Sequence, residues 1–183
     1  MKPAPGIPGL FIALMLTAAV NGQAAGEKDI NMKLVLSEAK LVNVEGDTLK
    51  YPDITSDREL VALFFCFNGC TGCKISMKET LYPNHEMLKK KYGLEILVIS
   101  KEEGAGRQRA ADEYSGYPFR LLFDIDNRLF AAMPPGLYDN GKRMKAWPTL
   151  VLIDSEFHWR SANPFSIEQI EKSIIEIKVS ESK

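Results

Sequence analysis

Histidine and cysteine are scarce in this chain of 183 residues, with two of the former and three of the latter. His85 and His158 stand far apart, so no second Cys or His pair completes a zinc site of the usual spacing. The cysteines crowd together at Cys66, Cys70 and Cys73, whereas a fold stapled by disulfides needs them spread along the chain. There is no excess of positive charge. The 23 basic and 24 acidic side chains leave a net charge of -1, which excludes a nucleic-acid footprint. The Lys89-Lys90-Lys91 run reads as the solvated end of a helix. No low-complexity tract is present, and 45% hydrophobic with 26% charged residues argues against disorder. The methionines are scattered and form no copper-binding stripe. Gly104-Ala105-Gly106 lacks the third glycine of a dinucleotide fingerprint, because Arg109 stands in its place, and reads as a turn.

No apolar run reaches the roughly 20 residues that span a bilayer. The longest N-terminal stretch, Ile7 to Val20, follows Lys2 and leads to Asn21-Gly22-Gln23-Ala24-Ala25. A basic start, a short apolar core and small residues at the end form the layout of a secretory signal peptide. Residues 1–24 are therefore expected to be a signal peptide, cleaved after Ala24, with Gly22 as the neighbouring site. Pro8-Gly9 and the short run weigh against an uncleaved anchor, and no cysteine precedes Cys66 to carry a lipid. Residues 25–183 suit one domain with 22 basic and 24 acidic side chains.

After the signal segment, Met32 to Leu36 and Leu41 to Val44 alternate apolar with polar residues. Glu45-Gly46-Asp47 supplies a turn before Thr48 to Tyr51, which predicts a short β-hairpin. Glu59 to Phe67 is a continuous apolar run, as in a strand buried on both faces, and Asn68-Gly69 breaks it. From Thr71 to Tyr92 apolar residues recur at near-helical spacing, with Gly93 as C-cap and Pro83 expected to kink or divide the helix. Leu94 to Ser100, Arg107 to Tyr114 and Phe119 to Phe123 read as strand, helix and strand. Crossovers of this length imply a parallel βαβ unit. A short helix is expected over Arg128 to Met133, then a loop to Ala146. Thr149 to Ile153 and Phe157 to Ser161 read as a hairpin turning at Asp154-Ser155-Glu156. Ser166 to Ile177 reads as a capped amphipathic helix with Ile167, Ile170, Ile174 and Ile177 on one face.

Cys70 and Cys73 are two residues apart, at the point where a buried strand passes to a helix N-terminus. The helix dipole and free backbone N–H groups there favour thiolate, so Cys70 reads as the attacking thiolate, exposed at the loop. Cys73, one turn further in, is placed to resolve a mixed disulfide. A structural bridge across two residues closes too small a loop to stabilise much, and half of a metal site lacks its other half. Redox chemistry is thus the leading reading. Cys66, within the strand, is either a small buried hydrophobe or a third thiol able to trap Cys70.

Three segments carry a resemblance: Leu63-Phe64-Phe65 leading to Cys70-Thr71-Gly72-Cys73-Lys74, Tyr92 to Ser100, and Trp147-Pro148 followed by Thr149 to Asp154. Over residues 32–178 the chain resembles the thioredoxin superfamily, and within it the exported TlpA/ResA-like thiol-disulfide oxidoreductases. The resemblance implies an α/β thioredoxin fold, a central mixed β-sheet flanked by helices, here with an N-terminal β-hairpin extension. It implies that Pro148 is a cis proline after Trp147, facing the cysteine pair, and that Trp147, Thr71 and Gly72 line the substrate groove. It further implies a periplasmic monomer without cofactor or metal, exchanging disulfides with exported proteins, more as reductant than oxidant, and supplied by a membrane thiol donor. The chain also departs from the family. Phe64 occupies the position of a buried acid six residues before the first cysteine, Gly69 that of a tryptophan, Ser76 that of a glutamate, and Lys78 that of a helix proline.

Two other readings share the fold. A Sco-like copper-binding assembly factor would use cysteines spaced as Cys66 and Cys70 with a distal His such as His158, but Lys74 stands where a second ligand would be needed if Cys70 were the first. A peroxiredoxin needs Thr three residues before its reactive cysteine, where this chain has Phe67 before Cys70 and Cys70 before Cys73.

Overall fold

The computed structural model of the protein describes residues 30–55, 58–132, 137–139, 142–144 and 148–180. The segment 1–24 expected to be a signal peptide lies outside the described residues. The chain runs through α1 (Met32–Glu38), β1 (Leu41–Val42), β2 (Thr48–Leu49), α2 (Tyr51–Thr55), β3 (Leu60–Cys66) and α3 (Thr71–Ser76). A π-helical turn over Met77–Leu81 then joins α3 to α4 (Tyr82–Tyr92). There follow β4 (Leu94–Ser100), α5 (Ala105–Tyr114), β5 (Arg120–Asp124), α6 (Arg128–Ala132), β6 (Leu137–Asp139), β7 (Lys142–Met144), β8 (Thr149–Asp154), β9 (Trp159–Ala162) and α7 (Ile167–Ser180). Among the described residues no helix is long and apolar enough to cross a membrane.

All seven residues of β3 are buried, as its unbroken apolar run requires, and the strand lies inside a seven-stranded mixed sheet of order β2-β1-β5-β4-β3-β8-β9. β3, β4 and β5 are parallel, while β8 runs antiparallel to β3. On one face Ala62, Phe64 and Cys66 pack under Met77, Leu81, Leu88, Ala110, Tyr114 and the isoleucines 170, 174 and 177 of α7. On the other, Val61, Leu63 and Phe65 meet Met32, Leu36, Ile54, Leu129 and Phe130. Alternate residues of one strand thus serve two cores, as the period of two demands. Ser166 accepts from the Gln169 N–H at 3.3 Å to cap α7, as its sequence predicts.

Several expectations are corrected. Met32 to Leu36 forms α1 instead of a strand. The Asn31 side chain caps it by accepting from the Leu34 N–H at 3.1 Å, and the buried pair is Met32 and Leu36, four apart, while Leu34 is exposed. The hairpin itself exists, with Leu41 opposite Leu49, and β1 pairs antiparallel with β5, so it forms the sheet's edge. Tyr51 begins α2 instead of ending a strand. The expected loop after α6 contains an antiparallel pair, Leu137 opposite Met144. β8 extends to Asp154, whose carboxylate accepts from the N–H groups of Glu156 and His158 at 2.9 and 2.8 Å, moving the turn one residue on. Around Pro83 the helix changes pitch instead of breaking. The Tyr82 N–H reaches the Met77 carbonyl, five residues back, so Pro83 falls in the first turn of α4, where its missing N–H costs little.

Asp124 ends β5 and starts α6. Its buried carboxylate accepts from the N–H groups of Arg128 at 3.2 Å and Phe130 at 2.9 Å. Burial, reinforced by Asp126, outweighs those donors and pushes its pKa up from 3.8 to about 6. The folded state therefore holds this proton more tightly than the unfolded one, so stability is fully present below about pH 4 and falls as pH rises to about 6. Urea unfolding between pH 4 and 7 should show Asp124→Asn lacking this component, worth up to about 3 kcal/mol. Parallel pH curves for the two proteins would refute the assignment.

Candidate active site

β3 delivers the chain to the end of the sheet, and the loop Phe67–Gly69 turns it into α3. Gly69 takes φ +76, a left-handed conformation that favours glycine, and the Cys70 N–H donates to the Phe67 carbonyl at 3.2 Å. Cys70 is the N-cap of α3. Its sulfur accepts from the Cys73 N–H at 3.1 Å, doing what a serine or aspartate oxygen usually does. The two cysteines form a disulfide with Cα atoms 5.2 Å apart. Cys73 is fully buried and Cys70 is only 6% exposed. The expectation of an exposed Cys70 is thus corrected, because its sulfur turns inward to the helix N–H and to Cys73. In the dithiol form the same N–H would stabilise a Cys70 thiolate, with the helix dipole adding to it.

Between the bridged cysteines Thr71 is exposed and Gly72 half-buried. Pro148 is buried and immediately precedes β8, where Thr149 pairs with Phe65. That register puts Pro148 at the same end of the sheet as the disulfide. Trp147, and with it the expected cis bond, lies outside the described residues. The buried Ser76 hydroxyl donates to the Pro164 carbonyl, tying α3 to the loop before α7. Ile75 and Phe165, on the two segments so joined, are exposed apolar side chains.

His158 sits elsewhere. Its Nδ1 is 2.9 Å from Asp154 Oδ2, and Asp154 pairs with Leu60 at the opposite end of β3. At about 3.3 Å per residue the six steps from Leu60 to Cys66 span roughly 20 Å, so His158 and the cysteine pair cannot share a metal ion. Among the described residues no group of three His, Cys, Asp or Glu could hold one.

Behind the disulfide lies a polar cluster that the sequence did not reveal. The Asn68 N–H donates to Glu102 Oε1 and its Nδ2 to the Gly106 carbonyl, both at 3.0 Å. A Cβ at residue 106 would meet the Glu102 carboxylate at 2.7 Å, so any larger residue there would have to push the Glu102 side chain aside. Lys74, the residue after Cys73, pairs through Nζ with Glu113 Oε2 at 3.2 Å. The Tyr114 hydroxyl lies beside the Cys66 thiol. The only advance signal was the Gly104-Ala105-Gly106 segment, whose turn Gly104 provides at φ +49.

Cys66 is the free cysteine, fully buried. Burial pushes its thiol up to about 12, with Tyr114 opposing and Glu113 and Glu102 reinforcing. At pH 8 its thiolate fraction is on the order of one in ten thousand. Native protein treated with reductant and then iodoacetamide should therefore leave Cys66 unlabelled by mass spectrometry, with labelling only after denaturation. Rapid native labelling of Cys66 would contradict the burial argument.

No family model matches the sequence, and no curated protein does. Solved structures do. An uncharacterized thioredoxin-like protein from Porphyromonas gingivalis is similar with a TM-score of 0.58 at 17% identity, covering 75% of this chain and 88% of that one. The bacterioferritin comigratory protein of Xanthomonas campestris, described for its alkyl peroxide reduction activity, gives 0.57 at 14% identity over 85% of this chain and 99% of that one. A domain of a possible thiol-disulfide isomerase from Cytophaga hutchinsonii gives 0.53 at 15% identity over 81% and 97%.

Proposed function

We propose that this chain, whose fold is thioredoxin-like, is a thiol-disulfide oxidoreductase working through Cys70 and Cys73. The observation that carries the reading is the Cys70–Cys73 disulfide at the N-cap of α3, with the Cys70 sulfur accepting the Cys73 N–H. In the reducing direction the Cys70 thiolate attacks a substrate disulfide, forming a mixed disulfide and releasing one substrate thiolate, which takes a proton from solvent. Cys73 loses its proton and attacks the Cys70 sulfur. The second substrate thiolate leaves, and the Cys70–Cys73 bond returns. Two electrons pass from the dithiol to the substrate, and a dithiol donor restores them. The exposed Ile75 and Phe165, on segments joined by the Ser76–Pro164 hydrogen bond, offer an apolar rim for an extended protein segment, and Pro148 shapes the groove from the start of β8.

The compartment is the periplasm and the partners are thiols or disulfides of exported proteins, on the strength of residues 1–24 and the TlpA/ResA resemblance. The same resemblance supports a monomer acting as reductant and fed by a membrane thiol donor. N-terminal sequencing of exported protein should begin at Ala25. A protein retaining Met1 and fractionating with the cytoplasm would sink that part of the reading.

In dithiothreitol-driven reduction of insulin, Cys70→Ser should fall to the uncatalysed rate, while Cys73→Ser should accumulate a mixed disulfide visible on a non-reducing gel. Full activity in Cys70→Ser would overturn the assignment.

A further inference from the structure

The thiol chemistry leaves one built feature of the surface unused. Aromatic rings crowd where the first turn of α4 meets the loop from α5 to β5. Tyr117 is their hub. It meets Tyr82 edge to face at 5.4 Å, lies nearly parallel to Phe119 at 6.2 Å and tilts against Tyr114 at 6.4 Å. His85 joins them, edge to face with Phe119 at 5.2 Å. Tyr114 and Phe119 are buried, whereas Tyr82 is 50% exposed. Tyr82 and Tyr117, with Pro83 and Pro118, line a cavity of about 670 Å³, within the range of ligand sites.

The polar features of this cavity favour a cation. No lysine or arginine is among its lining residues, and its one carboxylate, Glu86, is 88% exposed. Glu86 Oε1 lies 3.3 Å from His85 Nδ1, and Oε2 has no partner among the described residues. Ser115 and Gly116, which follow α5, also line the cavity. The last turn of α5 contains no basic residue, so the negative end of its dipole is not offset there. The aromatic faces add the negative side of their quadrupoles.

A compact ammonium is strongly hydrated and gains less from such a surface. A guanidinium is planar and weakly hydrated, stacks on a ring, and forks two N–H groups onto a carboxylate. We propose that this cavity binds an arginine side chain of a partner protein, with the guanidinium over the Tyr82 ring and its N–H groups on Glu86. Phe119 contacts both Tyr117 and His85, and so ties the α5–β5 loop to α4 beneath the site. α4 continues the cysteine helix through the π-helical turn. The nine residues from Cys73 to Tyr82 span roughly 14 Å along it, a distance that a single partner of ordinary interface size covers. The binding goes beyond the dithiol reading and does not depend on it.

Titration of ¹⁵N-labelled full-length protein with the peptide acetyl-Gly-Arg-Gly-amide tests the site. The amide signals of Glu86, Ser115, Gly116 and Tyr117 should shift together and saturate. The citrulline counterpart, which keeps the shape and loses the charge, should bind at least about tenfold more weakly, and the lysine counterpart severalfold more weakly. Tyr82→Ala and Glu86→Gln, both at exposed positions, should each weaken arginine binding severalfold, while Tyr82→Phe keeps the ring face and should retain most of it. Absence of a saturable shift, equal affinity for the arginine and citrulline peptides, equal affinity for arginine and lysine, or wild-type affinity in both Tyr82→Ala and Glu86→Gln would overturn the proposal. The readout is binding, so none of these outcomes bears on the exchange at Cys70.

Discussion

The hydrogen bond from the Cys73 N–H to the Cys70 sulfur joins the chemistry of the protein to its architecture. A helix N-terminus needs an acceptor, and here the acceptor is a sulfur of the Cys70–Cys73 disulfide, the atom whose redox state would change in the proposed exchange. A thiolate caps better than a thiol and a disulfide sulfur less well than a thiolate, so the strength of the cap follows the state of the couple. N-cap contributions are commonly about 1 kcal/mol, enough to bias a couple in which about 1.4 kcal/mol is tenfold in equilibrium. The rest of the sheet serves this junction by fixing where β3 ends.

That end is set by apolar content. β3 is buried on both faces between β4 and β8, and its side chains serve two cores at once. A polar side chain within it would lack a partner, so the chain can become polar only where it leaves the sheet, at Phe67 to Cys70. Asn68 secures that exit by bonding across to the start of α5. Gly106 leaves room for the Glu102 carboxylate beside it.

Much of this was legible in the sequence because it follows from local periodicity. The apolar runs of β3, β4 and β8, the isoleucine face of α7 and the cysteine pair at a strand-to-helix junction all show in a window of a few residues. What failed to show was context. Met32 to Leu36 satisfies both a period of two and a spacing of four, and the Asn31 cap with burial of Met32 and Leu36 decides for the helix. Pro83 signalled a disturbance but not its form, since a π turn absorbs it without a break. The polar cluster was hidden because its bonds join residues 34 and 38 positions apart, and nothing in Glu113-Tyr114 marks it among the charged residues of a surface helix.

The two ends of β3 divide the labour of the molecule. At the Leu60 end Asp154 spends its carboxylate on the β8–β9 turn and on His158, an arrangement that shapes a hairpin and leaves no ligand near a thiol. At the Cys66 end Thr149 pairs with Phe65, so Pro148, just before β8, lies at the end of the sheet from which the chain leaves for the disulfide. With Phe64 in the core on the side of the sheet that α3 and α5 cover, a carboxylate on the strand would take the place of an aromatic ring among buried side chains. β3 therefore stays wholly apolar up to Cys66, and polar groups begin only in the loop that leads to Cys70.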